Sequence, residues 1–152
     1  MRLVVQRVRR AAVRVGAEVV GDIGPGAVVL VGVGAEDDAV TADRMADKLL
    51  GLRYFEDAAG RTNLAIGDAG GAFLVVSQFT LYADVRRGRR PGFTAAALPD
   101  AAKPLVERFA QRLRAAGHAV ATGRFGATME VELVNHGPFT LFLDSDRDLG
   151  GG

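Results

Sequence analysis

The sequence predicts a single α+β domain in which a mixed/antiparallel β-sheet carries two main helices, and three observations lead there. The 152 residues are 49% hydrophobic, which suits one domain with an ordinary core, since domains usually run to ~100–200 residues and ~45–50% apolar content. Only two stretches, 38–52 and 99–116, bring apolar residues back at helical spacing. The other apolar runs are strand-like and give the order β-β-β-α-β-α-β-β-β, which argues against a doubly wound parallel sheet.

Taken in order, residues 2–15 alternate in places (Val4, Gln6, Val8, then Val13, Arg14, Val15), and beyond Gly16 the run Glu18-Val19-Val20 continues toward Gly21. This pattern is a β-hairpin. Gly24-Pro25-Gly26 is a turn, and Ala27 to Val33 is apolar and β-branched enough to be a strand buried on both faces. Asp37 or Asp38 caps the first helix, with Ala42, Met45, Ala46, Leu49 and Leu50 inward. Residues 56–71 form a short hairpin or loop, and 72–79 form a central strand. Pro99-Asp100 starts the second helix, with Leu105, Val106, Phe109 and Leu113 inward and Pro104 tolerated in its first turn. Strands are expected at 118–124, 128–134 and 139–143, the last two separated by a turn at Asn135-His136-Gly137-Pro138. Residues 145–152, polar and glycine-rich, read as a flexible tail of the 1–152 domain.

Composition narrows the chemistry. With no cysteine there is no disulfide framework, thiolate nucleophile, iron–sulfur cluster or Cys-based zinc site. No run approaches the ~18 apolar residues of a membrane span, and the opening segment turns polar too early for a signal peptide, so a soluble cytoplasmic protein with no membrane partner is expected. The net charge of +1 hides a polarised chain. Arg2, Arg7, Arg9, Arg10 and Arg14 crowd the start and Arg86, Arg87, Arg89 and Arg90 a later loop, whereas Glu36, Asp37, Asp38, Asp43 and Asp47 cluster between them. Such arginines fit either a phosphate-binding surface or a solvated face.

Scarcity guides the search for a site. The only serines are Ser77 and Ser145 and the only histidines His118 and His136. No G-x-S-x-G elbow surrounds a serine, no H-E-x-x-H or H-x-x-E-H spacing exists, Gly32-Val33-Gly34 lacks the third glycine of a dinucleotide loop, and no Gly-Lys-Ser/Thr occurs. No metal and no cofactor are therefore expected. Two segments are chemically odd for their places. Ser77-Gln78-Phe79-Thr80-Leu81 puts polar groups at the end of the most hydrophobic strand, where each would cost ~1–3 kcal/mol if buried unpaired; the bland alternative is a strand leaving the core. Gly137-Pro138 joins the residue that tolerates any backbone angle to the one at which a cis bond is cheap; the bland alternative is an ordinary hairpin turn.

Ser77-Gln78-Phe79-Thr80-Leu81, followed by Asn135-x-Gly137-Pro138-Phe139-Thr140 and preceded by Met1-Arg2-x-Val4-x-Gln6-Arg7-Val8, closely resembles the D-aminoacyl-tRNA deacylases, also called D-tyrosyl-tRNA(Tyr) deacylases. The likeness runs from residue 1 to about 144 and takes in Arg89-x-Pro91-x-Phe93-Thr94 and Gly123-x-Phe125-Gly126-Ala127-x-Met129. It implies a barrel-like sheet and a homodimeric hydrolase with active sites at the subunit interface. Such an enzyme cleaves the ester between a D-amino acid and the terminal adenosine of tRNA. By the same resemblance Ser77, Gln78, Phe79 and Thr80 belong to the catalytic wall. Gly137 and Pro138, in the cis form, reach into the partner's pocket and reject L-amino acids, with glycyl-tRNA an expected second substrate. Arg7 supports that motif, and Phe125 and Met129 line the adenosine pocket. Water attack with Phe79 and Thr80 N–H groups on the oxyanion is the favoured chemistry, with the neighbouring ribose hydroxyl assisting; Thr80 as nucleophile is the alternative. His136 stands where relatives commonly carry an acid and Phe139 where they commonly carry Val. A related family keeps the proline trans and acts on mischarged L-alanyl-tRNA; Ser77-Gln78 resembles the D-specific branch.

Two readings compete with this one. A non-catalytic RNA-binding module would use the arginines alone and show salt-dependent binding without hydrolysis. That module would leave both segments idle; the other reading is a structural or regulatory α+β dimer with a small-molecule site.

Overall fold

A computed structural model describes residues 1–150. Its organising element is β1 (Arg2–Val15), long enough to serve three neighbours. On one edge the first half of β1 pairs antiparallel with β3 (Gly26–Gly32) and the second half with β2 (Glu18–Ile23); along the other edge runs β8 (Glu130–Asp144). Beyond β3 come β6 (Ala72–Ser77) and β7 (Val120–Thr122), both joined in parallel. The order β2-β1-β3-β6-β7, with β8 on β1, makes a mixed sheet. Gly21 of β2 approaches Thr122 and Ala121 of β7 so closely that a Cβ would lie 2.7 Å from the Thr122 carbonyl oxygen, so the sheet nearly closes into a barrel.

Both faces of the central strands are buried, as their continuous apolar composition requires. Ala27, Val29, Val31, Phe73 and Val75 face the helices, while Val28, Leu74 and Val76 face the barrel interior with Val8, Ala11 and Val13. The side chains that β1 buries against the helices, Leu3 and Val5, give way after Arg7 to Val8, Ala11 and Val13 on the interior face. Register shifts on either side of Val8 make that change, because one extra residue moves every following side chain to the other face.

The helical face is covered by α1 (Ala39–Gly51) and α3 (Pro99–Ala115). Asp38 caps α1 by accepting the Thr41 N–H at 2.8 Å. The helices pack through Met45, Leu49, Phe109 and Leu113, all fully buried, and across the outer edge Arg108 and Arg112 form two-pronged pairs with Asp43 and Asp47 at 2.7–2.8 Å. Pro104 lies in the second turn of α3, one turn later than its composition suggested. A hairpin of β4 (Arg53–Glu56) and β5 (Thr62–Ala65) with the short α2 (Ile66–Ala69) closes one end. No helix among the described residues is long and apolar enough to cross a membrane.

Three expectations need correction. Asn135-His136-Gly137-Pro138 is not a turn between two strands. It lies inside the single strand β8, where Arg7 alone opposes the stretch between Asn135, paired with Val8, and Thr140, paired with Gln6. The central strand ends at Ser77 rather than 79, and Phe79–Tyr82 makes one turn of 3-10 helix. Residues 145–148 are not a frayed tail. They form α4 (Ser145–Asp148), begun by Asp144 accepting the Asp146 N–H, with Ser145 buried and its hydroxyl accepting from the Met1 amino group at 2.6 Å. Gly151 and Gly152 lie outside the described residues.

The opening arginines are mostly consumed inside the fold. Arg2 pairs with Asp144, Arg10 and Arg14 share Glu132, and Arg7 is buried, which leaves only Arg9 of the five without a partner among the described residues.

Candidate active site

β6 delivers its last residue to the rim of the sheet, and the 3-10 turn after it is fixed from below. Gly32 and Gly34, at the end of β3 and just past it, let that turn pack close. A Cβ on Gly32 would lie 2.9 Å from Leu81 Cβ and 3.0 Å from the Gln78 carbonyl, and one on Gly34 2.7 Å from the Tyr82 hydroxyl. The glycines that resembled half a dinucleotide loop thus serve backbone approach. Tyr82 is anchored by the Arg2 guanidinium 4.5 Å above its ring and by donating to Asp37 at 3.4 Å, and burial together with that carboxylate pushes its hydroxyl pKa up. Gln78 N–H donates to the Val31 carbonyl at 2.7 Å, which ties the start of the turn to β3.

Above this turn lies a cavity of about 500 Å³. Ser77, Gln78 and Phe79 form one wall, Phe125 and Met129 another, and the start of α3 (Leu98, Pro99, Ala102, Val106) the third. Five of the site residues expected from the sequence are therefore brought together. Gly123 leaves room for Met129 in its observed position, since a Cβ there would lie 2.7 Å from the Met129 sulfur. The lining contains no Asp, Glu, His, Lys or Arg. Phe79 is 57% exposed and meets Phe93 edge-on at 5.1 Å between ring centroids. The Phe79 and Thr80 N–H groups have no hydrogen-bond acceptor among the described residues, whereas Leu81 and Ala83 donate to the Gln78 and Thr80 carbonyls. Thr80 follows the wall, exposed, and its hydroxyl oxygen accepts a hydrogen bond from the Gln78 side-chain amide.

The other predicted residues do not line this cavity. The Gly137-Pro138 bond is cis, and both residues are exposed. Gly137 has φ of +130°, and a Cβ on it would come 2.8 Å from Arg7 Nη2. Arg7, only 4% exposed, holds the segment from beneath. Its Nε donates to the His136 carbonyl at 3.1 Å and Nη1 to the Tyr54 carbonyl at 2.8 Å, while the guanidinium stacks 4.9 Å from the Phe139 ring centre. Asn135 clamps the other side by donating from one amide nitrogen to the Arg7 and Phe139 carbonyls, both at 2.9 Å. Neither histidine reaches the cavity: His118 packs edge-on against Phe73, and His136 contributes its backbone. Among the described residues no group of three or more His, Asp or Glu side chains is placed to hold a metal ion.

Sequence reasoning did not assign Leu98, Pro99 and Ala102 to the site, because they read as the start of a core helix. Phe93, Gly126 and Ala127 lay within quoted motifs without a role.

A nearly closed mixed sheet with two covering helices, a carboxylate-free cavity at the end of β6 and a backbone-presented Gly-Pro segment on β8 together define a narrow class of small α+β domains. Comparison narrows it further. Residues 4–144 match the family model described as D-Tyr-tRNA(Tyr) deacylase, and the chain belongs to that family. It is 63% identical over 147 residues to a protein of Symbiobacterium thermophilum named D-aminoacyl-tRNA deacylase, covering 97% of each chain. It superimposes with a TM-score of 0.90 on the solved structure titled c-Myc DNA Unwinding Element Binding Protein, at 39% identity over 95% of this chain and 99% of that one. A probable eukaryotic D-amino acid tRNA deacylase, 18% identical, shares the fold with a TM-score of 0.82, covering 93% of this chain and 97% of that one.

Proposed function

We propose that the chain hydrolyses the ester joining a D-amino acid to the terminal adenosine of tRNA, and that it does so as a homodimer in the cytoplasm. The observation that carries the chemical part is the cavity itself. It offers aromatic and aliphatic walls for an adenosine and an amino-acid side chain, two unpaired backbone N–H donors beside it, and no titratable side chain. A water molecule attacks the ester carbonyl carbon, with the neighbouring ribose hydroxyl of the substrate assisting. The carbonyl oxygen gains negative charge next to the Phe79 and Thr80 N–H groups, and the tetrahedral intermediate collapses by breaking the bond to the ribose oxygen, which takes up the proton that the attacking water passes on through the neighbouring ribose hydroxyl. Fixed donors of this kind lower such barriers by ~3–4 kcal/mol each. None of these steps calls on a cofactor.

Thr80 orients rather than attacks. A nucleophilic hydroxyl needs a base to take its proton, and the partner of Thr80 Oγ1 is an amide N–H, which donates to it.

Selection by chirality belongs to Gly137-Pro138, supplied to each cavity by the other subunit. Support comes from the separation of the two motifs within one chain, from the exposure of Gly137 and Pro138, and from the apolar Phe79, Val131 and Phe142, which are 38–57% exposed. A rigid backbone pressed on the α-carbon leaves an L side chain no space, which discriminates better than a side-chain pocket worth only ~1–3 kcal/mol. Glycine has nothing to exclude, so glycyl-tRNA is a second substrate.

The test is release of tyrosine from D-tyrosyl-tRNA and L-tyrosyl-tRNA under one set of conditions. Release from the D ester alone is expected. Equal rates on both would overturn chiral selection, and tRNA binding with no release from either would revive the non-catalytic module.

A further inference from the structure

A second cavity, a groove of about 730 Å³, borders the first along α3 and shares Ser77, Val106 and Phe125 with it. The two differ sharply in charge. The first is lined by no ionised group, whereas the groove is lined by Lys103, Arg108, Arg114 and Arg124 against the single acid Glu107. Not all of that charge is free. Arg108 is taken by the two-pronged pair with Asp43. Arg114 donates only to neutral oxygens, those of the Gln111 side chain and the Val120 carbonyl, so its charge is not compensated. Arg124 faces Glu18 at 3.2 Å, with both side chains more than half exposed, a pair that water and salt loosen. Lys103 makes no hydrogen bond or ion pair among the described residues.

We infer that this groove receives the phosphates of the RNA strand leading back from the terminal adenosine. The inference rests on the reading that the first cavity holds the aminoacylated adenosine, and it names the path of the rest of the substrate. A nucleotide seated in an uncharged cavity must send its 5′ phosphate out through an opening. The groove is concave, borders that cavity across Ser77, Val106 and Phe125, and is rich in cations that lack a strong internal partner, and guanidinium and ammonium groups recognise phosphate oxygens without regard to base. The arginine loop at 86–90 is the competing exit. None of its residues lines either hollow, although Phe93, just beyond it, lines the first, and Arg86 in it is held by Asp84.

The test compares Lys103→Ala/Arg124→Ala with Arg87→Ala/Arg90→Ala, using fluorescein-labelled uncharged tRNA titrated over a series of KCl concentrations and steady-state cleavage of D-tyrosyl-tRNA. Removing two single-strand phosphate contacts lowers the slope of log affinity against log salt by about 1.4. The groove variant is expected to show that change, a roughly tenfold weaker affinity at moderate salt and a matching rise in KM, with kcat within about twofold. Unchanged binding, a fall in kcat as large as the rise in KM, or a slope change confined to the loop variant would each overturn the inference. If the unaltered protein binds tRNA but cleaves no ester, the proposed reaction fails while the binding titration still decides the groove.

Discussion

Ser77–Leu81 and Asn135–Phe139 both interrupt apolar strands with polar or glycine-proline sequence, yet the fold treats them in opposite ways. The first segment ends its strand and turns away, which leaves backbone donors unpaired beside a cavity and its side chains half-exposed. The second stays in its strand, and every visible support beneath it is paired: Arg7 to two carbonyls, Asn135 to two more. Unsatisfied donors are costly to keep in a dry site and useful where charge develops. A segment held by several buried and partly buried hydrogen bonds is suited to staying still. Under the proposed reaction the first segment carries the chemistry and the second the steric selection, so loss of either is expected to produce a different defect.

The largest effect is expected at the clamp. Arg7→Ala leaves the His136 and Tyr54 carbonyls without their donor and a hole beside Phe139, a cost of about 3 kcal/mol, or roughly 10 °C in melting temperature for a chain of this size. At a temperature where the variant is folded, the D-over-L rate ratio should fall at least about tenfold while the D ester is still cleaved. Arg7→Lys should recover stability better than selectivity, because an ammonium cannot reproduce the fork that reaches two carbonyls at once. A lower melting point with an unaltered D-over-L ratio would break the division between the segments.

A smaller effect is expected at Thr80. Thr80→Ala removes a hydroxyl that accepts from Gln78 but leaves both backbone donors in place, so kcat should fall about tenfold, the worth of one positioning hydrogen bond. Thr80→Ser should be nearly normal. Abolished cleavage in Thr80→Ala with tRNA binding intact would make Thr80 the nucleophile and shift the chemistry from backbone to side chain.

Much of the scaffold was legible in the sequence because its signals are local. Helical spacing in 38–52 and 99–116 and the apolar runs that begin at Ala27 and Ala72 each report the environment of their own residues. What escaped depends on a partner elsewhere in the chain. Gly-Pro is a strand breaker when read alone, and only the register shifts of β1 opposite it keep β8 whole. Arg7 sits in a run of arginines indistinguishable by pattern, yet it alone is buried, because Tyr54 and His136 present carbonyls to it from distant strands. Residues 145–148 have a tail-like composition and are ordered by the buried Met1 amino group, which no local rule foresees. The site was legible chiefly through resemblance. Composition alone offered two odd segments without saying that they stay apart within one chain.

The smallest expected effect concerns acid, and it separates the two regions by the kind of acceptor each uses. Beside the first segment, the loop carrying Phe93 is closed by paired backbone bonds between Asp84 and Gly92 at 2.7 and 2.9 Å. The Asp84 carboxylate braces it by accepting from the Arg86 side chain, which together with the Arg86 N–H holds its pKa down to about 2 from the usual 3.8. A carboxylate depressed in the folded state contributes its stability in full above the unfolded pKa and loses it as pH falls through the folded value. The brace should therefore be intact above about pH 4 and fade toward pH 2. The hydrogen bonds that clamp Gly137-Pro138 run to carbonyl acceptors and from an amide donor, groups without a titrating proton, and the one carboxylate paired with the clamp, Glu56 at 3.7 Å from Arg7 Nη2, is half-exposed and loosely held. Hydrogen exchange across pH 4 to 2, corrected for intrinsic rates, should show the Asp84 and Gly92 amides losing protection before those bordering Gly137-Pro138. Asp84→Asn should remove the pH dependence of that loss. Simultaneous loss at both places in the unaltered protein would mean that acid acts on the fold as a whole rather than on the loop that borders the cavity.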